Sequence, residues 1–126
     1  MTSSYYNPEQ QPVAAEWLAL SEAERLRVVF NFHVAPPARM SGARQHAASH
    51  VVVENQIANG FGPSRRAILR LQGQGLTRHQ AIHAVAAVVW RCLSENPFGP
   101  AAVSAKVMQT RMNQELDALS ADTPAA

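Results

Sequence analysis

Four of the five histidines form two His-x-x-x-His pairs, His46/His50 and His79/His83, and the fifth, His33, precedes them. Neutral imidazole is the commonest protein ligand of transition metals, and i, i+4 spacing sets two rings on one helix face about one turn apart. Glu54 follows His50 by the same step and is the only acidic residue between Glu24 and Glu95. The pattern points to metal binding by His33, His46, His50, Glu54, His79 and His83. Imidazole with carboxylate, and no thiolate cluster, suits a divalent transition ion of borderline softness, zinc or iron foremost.

At about 100° per residue, with His46 at zero, His50 falls near about 40°, Glu54 near about 80° and Ile57 near about 20°. On the later helix His79 and His83 share a face with Ala86 and Trp90. Both pairs are therefore directed inward, where an unsatisfied polar group costs about 1 to 3 kcal/mol. One inward histidine is most simply a core residue bonded to a backbone carbonyl. Five with a carboxylate favour one shared ion, and antiparallel packing would bring His50, Glu54, His79 and His83 into one pocket, as helical bundles build metal sites from facing helices.

The segment His79-Gln80-Ala81-Ile82-His83 is similar to the zincin H-E-x-x-H motif, but Gln80 stands where the catalytic base belongs and cannot take a proton from bound water. Metalloprotease activity is not expected. No serine or cysteine lies at a recognisable nucleophile motif and there is no phosphate-binding glycine loop, so no catalytic residue is assigned.

The elements that must position these side chains are helical. Pro8 can open a first helix with Val13, Ala14, Trp17 and Leu18 inward. Ser21-Glu22-Ala23-Glu24 is a capping box that launches a helix through Leu26, Val29, Phe30 and His33, stopped by Pro36-Pro37. From about Gly42 to Asn59 a helix carries His46, His50 and Glu54; its apolar positions continue at helical spacing past the strand-like Val51-Val52-Val53 run, and Gly60 caps it. Pro63 starts a short helix with Ile68, Leu69 and Leu71 inward, closed by Gly73-Gln74-Gly75. Thr77 and Gln80 form a second capping box for a helix from Arg78 to about Ser94. Residues 96–100 make a turn, and residues 101–119 read as an amphipathic helix. The fold class expected is all-α: a single-domain helical bundle of five or six helices over residues 8–120, with residues 1–7 and 121–126 as disordered ends.

Composition supports one domain: 126 residues, 47% hydrophobic and 16% charged, with a net charge of +2. The lone Cys92, set among Val88, Val89, Trp90 and Leu93, excludes an internal disulfide and reads as a small buried hydrophobe. The N-terminal residues carry no signal-peptide pattern, and no apolar run is long enough to span a membrane, so a cytoplasmic location is expected. The last helix offers Val103, Val107 and Met108 as a homodimer face.

HAASHVVVENQIA, RRAILRLQGQGL and TRHQAIHAVAAVVW together resemble an uncharacterised bacterial family with paired histidine helices, over roughly residues 16–95. That resemblance implies helices and a bacterial origin, and no established activity; its members tend to carry an acidic residue at the position of Gln80. A looser likeness is to hemerythrin, a di-iron four-helix bundle. His33, then His50 with Glu54, then His79 with His83 follow the order of its first three ligand groups, and what this implies is a non-haem iron site. No histidine follows His83 to supply the fourth group.

An alternative reading takes residues 65–91 as a helix-turn-helix, with Arg65, Arg66, Arg70 and Arg78 available for nucleic-acid phosphates. After Gln80 its second helix runs AIHAVAAVVW and offers few base-reading groups. Nucleic acid is therefore the less favoured partner. A structural or partner-binding helical domain with core histidines is the third reading.

Overall fold

A computed structural model of the chain describes residues 6–34, 42–94 and 105–121. These form six α-helices, with no strand among the described residues: α1 (Ala14–Ala19), α2 (Glu22–Val34), α3 (Ala43–Ala58), α4 (Gly62–Gly73), α5 (Arg78–Ser94) and α6 (Ala105–Ala118). The all-α expectation holds. Pro36-Pro37, the turn at 96–100 and Val103 lie outside the described residues.

Helix ends follow the local chemistry of the sequence. At α2 the Ser21 amide donates to Glu24 Oε1 (2.7 Å) while the Glu24 amide donates to Ser21 Oγ (3.1 Å), which completes the first capping box. Hydrogen bonding from Ser21, its amide first and its hydroxyl second, holds the Glu24 carboxyl below its usual pKa. Thr77 and Gln80 repeat the exchange at α5, at 2.9 and 3.1 Å. α3 and α4 both end in a glycine with positive φ, Gly60 at 80° and Gly75 at 105°. The next amide reaches back to a carbonyl of the last turn in each case, Phe61 to Gln56 O (2.8 Å) and Leu76 to Leu71 O (3.1 Å). This is the Schellman closure, in which the left-handed residue is one that lacks Cβ.

The chain divides into two compact units, Met1–Phe61 and Gly62–Ala126. In the first, α3 packs against α2 and α1. Tyr6, Trp17, Val28, Val29, Ala47 and Val51 form its core, with Leu26, Phe30 and Phe32 packed around them. Polar bonds tie the three helices: Asn55 Oδ1 accepts from Trp17 Nε1 (2.9 Å) and Arg25 Nη1 (3.1 Å), and Arg25 also donates to the Trp17 and Leu18 carbonyls at the end of α1. The Val51-Val52-Val53 run is helical, as its flanks require.

In the second unit, α4, α5 and α6 pack pairwise. Buried Ala67, Ile68 and Leu71 of α4, Ala81, Ile82, Val85, Val88, Val89 and Cys92 of α5, and Met112, Leu116 and Leu119 supply the apolar interior. α5 is buried on a broad face because it meets helices on both sides. Arg70 closes α6 by donating to the Leu119 (2.9 Å) and Leu116 (2.6 Å) carbonyls. Ala121, expected in the frayed tail, donates its amide to Gln74 Oε1 (2.6 Å).

Several side-chain directions differ from expectation. The first helix begins at Ala14, because Asn7 Oδ1 accepts the Glu9 amide (3.0 Å) and turns the chain at Pro8. Six residues are too few for a continuous apolar stripe, so Val13 is 60% and Leu18 38% exposed, Ala14 is exposed as well, and Trp17 alone of the four is buried. Leu69 is 56% exposed: the buried stripe of α4 runs Ser64, Ala67, Ile68, Leu71, and Leu69 lies one residue, about 100°, off it. Trp90, near the end of α5, is 46% exposed.

Candidate metal centre

α3 presents His46 and His50 one turn apart, with ring centroids 4.9 Å from each other. The last turn of α2 brings His33 beside them, its ring 4.5 Å from that of His46 and 4.6 Å from that of His50. His33 and His50 are 1% and 0% exposed, and His46 is half-buried. On α5, His79 and His83 are half-buried, and their rings lie 4.3 Å apart. The first unit thus holds three clustered imidazoles, and the second holds a close pair.

The protons on these rings follow from their partners. His33 Nδ1 lies 2.8 Å from the Val29 carbonyl, which can only accept, so Nδ1 carries the proton and Nε2 the lone pair. Burial holds this imidazole below the usual histidine pKa, partly offset by the bond to Val29. The Tyr6 hydroxyl donates to Glu54 Oε2 (2.5 Å) and lies 3.1 Å from His50 Nδ1. With its proton committed to the carboxylate, the phenol oxygen accepts from His50 Nδ1–H, and the lone pair of His50 is again on Nε2. That atom lies 3.2 Å from His46 Nε2, a separation bridged here by one proton.

These distances can be compared with the geometry of an ion. At a metal–nitrogen distance of about 2.0 to 2.1 Å, two ligands of a tetrahedral site lie about 3.3 Å apart, and no two ligands of one ion exceed about 4.2 Å. The His46–His50 separation already matches. His33, in the last turn of α2, also stands at the negative end of a helix dipole, which favours a cation.

Glu54, expected as a ligand, is 1% exposed, and its carboxylate accepts the Tyr6 hydroxyl. Tyr6 itself was unforeseen. It belongs to a stretch expected to fray, yet it is 4% exposed and packs against Trp17, Phe32 and His50. The signal that could have found it is the following Asn7-Pro8, a turn dipeptide able to fold the segment back.

Gln80 is exposed, and its side-chain oxygen accepts the Thr77 amide at the start of α5. The arginines assigned to phosphates under the nucleic-acid reading have other roles. Arg66 pairs with Asp117 (3.2 Å), Arg70 caps α6, and Arg78 is 4% exposed. Arg65 is exposed. Cys92 is buried as expected, and its thiol donates to Glu115 Oε2 (3.3 Å). The Arg91 guanidinium on Glu115, chiefly, keeps that carboxyl below its usual pKa.

Among the described residues no helix is long and apolar enough to cross a membrane. Comparison with protein-family models, with curated proteins and with solved structures finds no match for this chain.

Proposed function

We propose that this is a metal-binding helical protein whose site is built on His33, His46 and His50, with the His79/His83 pair of α5 offering two more imidazoles, and with zinc or iron as the ion. The observation that carries the reading is the convergence of three imidazole rings, His33 at 4.5 and 4.6 Å from His46 and His50 and these two 4.9 Å apart, with His33 and His50 nearly inaccessible to water. Burying so many weakly basic rings together is costly unless something draws on their lone pairs, and a cation does so for several at once. Imidazoles are neutral ligands, so a divalent ion would leave uncompensated charge in the interior. Glu54, buried and joined to His50 through Tyr6, supplies the countercharge.

Such an ion would offer Lewis acidity or, as iron, redox chemistry. The chain's own contribution is to fix ring orientation: Val29 O sets His33 and Tyr6 sets His50, so that Nε2 of each would be the atom to hold the ion. Elemental analysis of tag-free protein from metal-replete growth should find zinc or iron in the wild type and a clear loss in a His50→Ala/His83→Ala double variant. Metal-free wild-type protein that also binds none on titration would overturn the reading.

A further inference from the structure

We infer that Tyr6 is a positioning residue of the metal centre and that Glu54 acts through it, not as a ligand; this rests on the metal-binding reading above. The chain of bonds runs in one direction. Glu54 only accepts when ionised, so it draws the Tyr6 O–H; Tyr6 O then has lone pairs alone to offer His50, whose Nδ1 must keep its proton. Nε2 is thereby left bare, facing His46 Nε2 at 3.2 Å. Were the phenol proton not held by the carboxylate, it could donate to Nδ1 and drive the ring proton onto the atom that binds metal.

The geometry around the phenol is fixed by more than these bonds. Its ring stands edge-on to Phe32 (centroids 6.2 Å, 89°) and to His50 (5.7 Å, 87°), and tilts against Trp17 at 6.0 Å. A phenylalanine can occupy the same space, so the hydroxyl can be removed without emptying the core. Carboxylate partners that orient a ligating histidine typically change metal affinity by about 10- to 100-fold. Here the carboxylate is set one residue further out, with a phenol between it and the imidazole.

The test compares Tyr6→Phe and Glu54→Gln with the wild-type chain, using Zn²⁺ competed against a chromophoric chelator and Co²⁺ absorption as a geometric signature. Tyr6→Phe should weaken Zn²⁺ binding by about 10- to 100-fold with an altered Co²⁺ spectrum and an unchanged circular dichroism spectrum. Glu54→Gln, which keeps an oxygen able to accept the phenol proton, should lose less. Nitrogen-15 NMR of the metal-free proteins should show His50 protonated on Nδ1 in the wild type and a mixture of tautomers in Tyr6→Phe. Wild-type affinity in Tyr6→Phe, or a loss in Glu54→Gln as large as that of a direct His50→Ala change, would overturn the inference while leaving the site intact. A wild-type chain that binds no metal would overturn the functional reading, and with it the metal-positioning role, whatever the tautomer of His50.

Discussion

His33 titrates against two opposing influences, the burial that disfavours its charged form and the Val29 carbonyl that favours it, and burial prevails. Its folded pKa therefore lies below the unfolded value of about 6.5. The unfolded chain binds more protons below that value, so the sign is fixed: stability of the metal-free protein falls as pH drops through about 6.5 and is fully present above it. Urea midpoints in chelator at two pH values either side should show this loss, and a His33→Gln variant should show less of it. That each histidine pair shares a helix face was legible from spacing alone, since i, i+4 residues need only a helix to lie together, whereas the approach of His33 from α2 was not. Tyr6 was not, because its role depends on a turn at Asn7-Pro8 and on packing against residues some forty positions away.

Helices are where local rules carried furthest. Both capping boxes, the Gly60 closure and the helical state of the valine run are decided within a few residues of chain, and all appear as expected. Facing was less secure wherever apolar residues stood side by side, as Ile68, Leu69 and Leu71 do. Only packing against α5 and α6 chooses which of them is buried. The difference is measurable: Leu71→Ala, at a fully buried site, should cost about 2 to 5 kcal/mol in denaturant unfolding. Leu69→Ala, on the exposed side, should stay within about 0.5 kcal/mol. Equal losses at the two positions would contradict the stripe. Sequence distance also hides that α6 returns Glu115 and Asp117 to Arg91 and Arg66.

For the molecule as a whole, an ion that binds only folded protein stabilises it by mass action, by about 2.7 kcal/mol when the free ion stands at a hundred times its Kd. Thermal unfolding should accordingly move up by several degrees with Zn²⁺ and return with chelator, and the His50→Ala/His83→Ala protein should not respond. With a net charge of +2, and with Arg66, Arg70 and Arg91 engaged by partners within the protein, nucleic-acid binding should be absent even at about 50 mM salt. One small feature bears on how such chains are classified. Gln80 sits on the outer surface with its amide oxygen on the Thr77 backbone, and glutamate is the other residue that makes the same cap. A Gln80→Glu change would spell the full peptidase signature and keep the helix start, yet its carboxylate would remain pinned to the first turn. Letters alone would then announce a hydrolase, while the fold would have spent the essential group on starting a helix.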